Sequence, residues 1–351
     1  MYNLKTAVLL AVLAASGPGT ALRAETTPGH NPANTVSIDP THPDSFRNFA
    51  PELPATRARA AQVNTDFGLH VSEIEPGLYF LTDLIYQSAV LVTPEGVVVF
   101  DAPPSFGIGH RAAIEMVAPG VPITHLIMSH AHGDHNGGGA GFSENDGLVV
   151  IAAQAHAESL AAAPVRGVPA PTQTFAETFD LVVGGVPIHL RTARFHAEDA
   201  DTIIHLPRQR FLMAVDTITP GEAPFMNFGA TSNVRAYLEG FDTFLDFDFE
   251  HFLSGHVSVL GTREDVVKMR DYIRDVWDSV HALMPGFNAR MDEALQLVEF
   301  RNGNLAYRMA MESLRDDCAA GIIGRWKDEL SVVDLWADSH CETVLLYAIM
   351  H

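Results

Sequence analysis

The run Ser129-His130-Ala131-His132-Gly133-Asp134-His135-Asn136-Gly137-Gly138 constrains this chain more than any other stretch. Four side chains that can ligate a metal fall within six residues, directly after the apolar run Ile123 to Ser129. His130 and His132 alternate by two, so a strand end or extended turn can aim both at one ion. Asp134 and His135 follow one turn later and can face a second ion beside the first. Glycines at 137, 138 and 139 let the backbone bend closely around such a site. Neutral imidazole and carboxylate suit zinc and related divalent metals. The competing reading, a polar loop that is merely His-rich, does not account for the position at the end of an apolar strand.

The rest of the pattern supplies strands and helices for such a loop to sit between. Leu78 to Thr82, Ser88 to Thr93 and Gly96 to Phe100 are short β-rich runs, with Pro94-Glu95-Gly96 a turn, and read as consecutive antiparallel strands. Arg111 to Val117 reads as helix, Val149 to Ala152 as strand and Ala155 to Ala163 as helix. A second strand set follows in Phe179 to Val183, Val186 to Thr192, Thr202 to Leu206 and Arg210 to Val215. Helices are predicted around Val234 to Phe247 and Arg263 to Met284, and from about Met291 the pattern is mainly helical. This order fits sheets packed together with helices outside.

The N-terminus reads as an export signal: Lys5, the apolar run Ala7 to Ala15, small residues to Thr20 and a cleavage site after Ala24. The expected location is periplasmic or secreted. The run is too short to span a bilayer and no later segment approaches that length, so no membrane span is expected. Residues 25–65 carry Pro28, Pro32, Pro40, Pro43, Pro51 and Pro54 without apolar periodicity and look like an arm or linker rather than a core element. An oxidising compartment favours pairing of Cys318 with Cys341 over two buried thiols. Net charge of −21, with no basic run, argues against a nucleic-acid partner.

The segment from His130 to His135 resembles the HxHxDH signature of the metallo-β-lactamase superfamily. Further ligands in that family are a His, an Asp at a strand end and a final His on later loops, and His196, Asp216 and His256 occur here in that order. The resemblance covers residues 67–270. It implies an α+β fold, a four-layer αββα metallo-β-lactamase sandwich with a helical C-terminal extension. The corresponding division is a signal at 1–24, the arm at 25–65, a catalytic domain at 66–270 and the extension at 271–351. It further implies two divalent ions, zinc with iron or manganese as alternatives. His130, His132 and His196 would hold the first ion and Asp134, His135 and His256 the second, with Asp216 and a hydroxide bridging them. Asp134 and Asp216 are then the catalytic carboxylates: Asp134 orients the hydroxide and later passes a proton to the leaving group. Asp101, at the end of a strand, is the expected partner of a ligand. His125, His156 and His205 read as structural, His189 as a surface position of a strand, Ser339-His340-Cys341 as the surroundings of a disulfide, and Asp199 and Asp201 as residues that tune the His196 loop or are simply solvated.

An Asp at 216 resembles the lactonase, glyoxalase II and arylsulfatase-like branches, whereas the β-lactamases carry a Cys or a small residue there. Candidate pocket walls are apolar: Ile85 and Tyr86, Phe175 and Phe179, and Phe225, Met226 and Phe228 on the loop Gly221 to Gly229. The expected activity is hydrolysis of an ester or lactone carbonyl in a small molecule. The alternatives are a periplasmic β-lactam hydrolase, an iron-dependent persulfide-dioxygenase-like oxidoreductase and a non-enzymatic metal-binding accessory protein. The oligomeric state is left open.

Overall fold

A computed structural model describes residues 49–144, 147–197 and 200–351. The export signal, most of the arm and Asp199 lie outside the described residues. The described residues belong to one compact unit, Phe49–His351.

That unit opens with helix α1 (Pro54–Arg59) and the strands β1 (His70–Glu75), β2 (Leu78–Thr82), β3 (Gln87–Thr93) and β4 (Gly96–Phe100). Helix α2 (Ile108–Val117), strand β5 (Ile123–Ile127), the one-turn helix α3 (Gly133–Asn136), strand β6 (Val149–Ala153), helix α4 (Gln154–Ala162) and strand β7 (Gln173–Phe175) follow. β1 to β7 form one sheet in sequence order, antiparallel from β1 to β4 and parallel from β4 to β7. The second set is β8 (Thr178–Val183), β9 (Val186–Ala193), β10 (Asp201–Leu206), β11 (Phe211–Met213), the left-handed segment α5 (Met226–Ala230), α6 (Val234–Leu245), β12 (His251–Leu253) and β13 (Gly261–Thr262). Its sheet runs in the order β13-β12-β11-β10-β9-β8, with β11 and β12 parallel. Helices α7 (Arg263–Leu283), α8 (Phe287–Leu297), α9 (Gly303–Trp326) and α10 (Val333–Met350) complete the chain.

Period-two patterning builds the layers. On β4, Val98 and Phe100 enter the core between the two sheets, while Val97 and Val99 pack outward with Ala113 and Ile114 of α2 and Leu160 of α4. Leu212 of β11 and Phe252 of β12 face the other way, against Tyr237 and Phe241 of α6, Tyr272 and Val276 of α7, Ile322 of α9 and Val344 of α10. Helix, sheet, sheet and helix are therefore stacked in four layers, and all three inter-layer cores are apolar. Helix α7 carries the chain through residue 270, and the residues after it share the outer core of the second sheet, so the C-terminal segment is part of that layer. Among the described residues, no helix is long and apolar enough to cross a membrane.

The arm differs from expectation where it is described. Its last residues include α1, and Thr56 is buried, its hydroxyl donating to the Gly221 carbonyl at 2.8 Å. The Leu53 amide donates to Ser331 Oγ and Arg59 pairs with Asp265 at 2.6 Å. Scattered prolines hid this docking because it uses single polar contacts instead of an apolar stripe. Phe175 and Phe179, proposed as pocket walls, stack on each other at 6.1 Å within the inter-sheet core.

Candidate metal centre

Strand β5 delivers the chain to the site. The Ser129 amide donates to Asp101 Oδ1 at 2.7 Å, and Asn136 Nδ2 donates to the His130 carbonyl, so the exit of the strand is fixed from both sides. Asp101 thus holds the residue before the first ligand candidate rather than a ligand ring. Burial raises its carboxyl to about 6, with His135 and Ser129 pulling the other way. His132 keeps an extended backbone at the position just before α3, which presents Asp134 and His135 on its single turn. Gly138 lies so close to this exit that a Cβ would meet the Ala102 carbonyl at 2.8 Å.

His196 follows β9 on a loop clamped by Asp201. That buried carboxylate accepts from the amides of Phe195, His196 and Ala197 at 2.8, 2.8 and 3.0 Å. Asp216 lies past β11 with φ of 62°, its amide bonded to the Ser254 carbonyl. His256 follows β12 through Ser254-Gly255, and Gln87 of β3 clamps this turn by accepting from Ser254 and donating to the carbonyls of Val257 and Val259. Gly255 adopts φ of +87°, and a Cβ there would stand 2.9 Å from the His135 ring, so only glycine lets the two histidines approach. Gln87 and Gly255 are absent from the sequence-derived site because each acts through backbone brought close only by folding, whereas Asp201, read from sequence as either tuning the His196 loop or solvated, does the first.

The side chains meet in two groups. His130, His132, His196 and Asp216 form one and Asp134, His135 and His256 the other, each with its potential ligand atoms within 4.8 Å of one another. Asp216 stands between them. Its Oδ2 faces His130 Nε2 at 3.3 Å and His196 Nδ1 at 3.6 Å, and its Oδ1 faces His135 Nε2 at 3.2 Å and His256 Nε2 at 3.0 Å. Asp134 Oδ2 approaches His135 Nε2 at 3.6 Å from the solvent side. His130 Nε2 and His196 Nδ1 are buried without a hydrogen-bond partner, although the opposite nitrogens are engaged by Ser129 Oγ at 2.9 Å and the Gly229 carbonyl at 2.7 Å. Buried polar atoms rarely go unsatisfied, and imidazoles oriented through one nitrogen with the other left open are arranged as metal ligands are. The residues present therefore fit a pair of cations.

The protein's own charges favour the same occupant. Burial holds His130 well below the usual histidine range. At His135 burial also disfavours charge, but Asp216 and Asp134 outweigh it and push the ring up to about 9. Burial would raise Asp216, yet His135, His256 and His196 hold it well below the carboxylate range. Positive charge is thus drawn to the Asp216 oxygens.

Of the residues expected to wall a pocket, Ile85, Phe225 and Met226 are exposed, and Tyr86 is half-buried with its ring 4.8 Å from His256 and 5.7 Å from His135. Phe228 departs from its expected place on the mouth. It is fully buried, stacked on His340 at 4.4 Å and packed with Tyr237, because the left-handed turn rotates it inward. Of the other histidines, His156 donates to the Ala200 carbonyl, His205 to the Asp248 carbonyl, and His189 pairs with Asp180.

Residues 82–271 match the metallo-beta-lactamase superfamily, and the chain belongs to it. A curated relative, the 2,4-dinitroanisole O-demethylase subunit alpha of Nocardioides sp. (strain JS1661), is 24% identical over 208 residues, 58% of this chain. The chain spans 61% of that relative's length. Among solved structures, a metallo-beta-lactamase from Pontibacter korlensis superposes with a TM-score of 0.51 at 17% identity, covering 58% of this chain and 99% of its own. The stereoselective inverting sec-alkylsulfatase Pisa1 from Pseudomonas sp. gives 0.55 at 14% identity, covering 80% of this chain and 50% of its own. Both share the fold.

Proposed function

We propose that this chain is an exported two-metal hydrolase acting on the carbonyl of an apolar ester or lactone. The observation that carries the reading is the Asp216 carboxylate, with one oxygen turned to each histidine group. His130, His132 and His196 would hold one divalent ion and Asp134, His135 and His256 the other, with Asp216 shared, and zinc suits this donor set. Bound there, the ions would supply an activated water and polarise the carbonyl. Asp134, open to solvent beside His135, orients that water by accepting its hydrogen bond and carries its proton to the departing oxygen. Phe225, Met226 and Ile85 bind the apolar part of the substrate, and residues 221–229 contain no Lys or Arg to grip a phosphate or sulfate. Export is supported by the Cys318–Cys341 disulfide together with the leader-like N-terminus.

The O-demethylase relative favours a second reading, cleavage of an activated aryl methyl ether by water to a phenol and methanol. One experiment separates the two: metal analysis of the purified chain, then assay against a panel of acyl lactones, aryl esters and nitroaryl methyl ethers. Two ions per chain are expected, with carbonyl substrates turned over and activity lost in Asp216→Ala. Ether cleavage without ester or lactone hydrolysis would transfer the assignment to the second reading. Fewer than two ions under metal-replete conditions, or full turnover by Asp216→Ala, would refute the two-metal site.

A further inference from the structure

Four consecutive residues, Asn227, Phe228, Gly229 and Ala230, have φ of 54°, 56°, 70° and 60°. For the three that are not glycine this left-handed backbone costs about 1–2 kcal/mol each, so the surroundings must impose it. Helix α10 imposes it. The Asn227 amide donates to Ser339 Oγ at 3.1 Å, and Thr343 Oγ1 donates to Asn227 Oδ1 at 3.2 Å. His340 Nε2 donates to the Phe225 carbonyl at 3.3 Å, its ring stacks on Phe228, and the Tyr272 hydroxyl donates to its Nδ1 at 2.8 Å, which fixes the tautomer. On its far side the same turn presents the Gly229 carbonyl to His196 Nε2.

We propose that Ser339, His340 and Thr343 of α10 are positioning residues for His196: they lock the 227–230 turn so that the Gly229 carbonyl orients the imidazole and leaves Nδ1 open to a divalent cation. This rests on the reading of His196 as a metal ligand. Nδ1 can take a cation only when the ring proton sits on Nε2; the Gly229 carbonyl secures that tautomer and the ring's orientation, and it belongs to a strained turn that α10 contacts through Ser339, His340 and Thr343. Partners that orient ligating histidines are worth about 10- to 100-fold in metal affinity.

The test is the double variant Ser339→Ala/Thr343→Val in the full chain. It removes both polar contacts to the turn, together with the bonds these half-buried hydroxyls make to carbonyls within α10, keeps the side-chain volumes nearly unchanged and leaves His340 in place. Zinc affinity is measured for each ion by competition with a chelator, the visible spectrum is recorded after cobalt substitution, and melting is followed with chelator present. The expected result is about 10-fold weaker binding of one ion, the other unchanged, an altered cobalt spectrum and chelator-treated melting close to wild type. Wild-type affinity for both ions overturns the inference. Equal weakening of both ions with an equally lowered melting temperature also overturns it, since that marks a merely structural contact. A wild-type chain that takes up fewer than two ions defeats the ligand reading first, and the inference with it.

Discussion

Phe225 marks the boundary between packing and recognition at the scale of single residues. Its ring meets Trp336 edge-on at 5.1 Å, yet half of the residue is exposed, three positions before a phenylalanine that is wholly buried. Phe225→Ala should raise KM for long-chain esters or lactones more than it lowers kcat and should barely affect a small acetyl ester, because it removes ground-state contact and leaves the ligands alone. Equal losses on small and large substrates in a steady-state comparison would contradict this. Glu222 gives a second prediction. Burial, reinforced by Glu52, raises its carboxyl to about 7. Between the unfolded value and that pH the folded chain keeps a proton that the unfolded chain releases, so stability from this group is full at low pH and is lost as pH rises through about 7. Glu222→Gln should raise Tm at pH 8, by on the order of 2–4 °C for each kcal/mol relieved, and change it little at pH 4.5. Equal shifts at both pH values in thermal melts would remove the cause. The seven clustered side chains were legible because ligand spacing is local at His130–His135 and their later partners fall at strand ends. Phe228 was misread because nothing in the letters of an apolar loop records a left-handed turn.

Among the elements, strands with strict alternation could be read from sequence, and β2, β3 and β4 lie within a residue of expectation. β1 escaped notice because its pattern is broken: Glu73 and Glu75 flank a register shift, and of its six residues only Val71 is buried. β7 is three residues long and mostly exposed. Helix α10 was recognised as helix, but its use was not, since its contacts to residues 225–228 span more than a hundred positions. The Cys318–Cys341 bond ties α10 to α9 across a separation of 23 residues. A loop of that size contributes about 3 kcal/mol in the chain-entropy account. Cys318→Ser/Cys341→Ser should therefore lower the denaturant midpoint markedly, with an m-value equal to or above that of the wild type because the unfolded chain is no longer cross-linked. An unchanged midpoint would show that apolar packing alone holds the two helices together.

At the scale of the whole molecule, the two sheets bring the seven clustered side chains from opposite halves of the sequence to one edge. β5 and α3 contribute one half of the site, the ends of β9, β11 and β12 the other, and the backbone of β3 and of the turn before it bonds to Gly255 and Val257 where the halves meet. This architecture could be expected from the order of strands and helices. The degree to which the last eighty residues join the second sheet's core could not, because α9 and α10 carry weak amphipathic stripes and bury different faces against several partners.

The position of Ser339 also sets a clock. The last clustered side chain, His256, precedes it by 339 − 256 = 83 residues. At synthesis rates of about 5–20 residues per second, roughly 4–17 s separate the emergence of the two positions. Through that interval a growing chain has every clustered side chain but not helix α10. On the role proposed for α10, a cation captured then would meet a His196 imidazole not yet held by the Gly229 carbonyl.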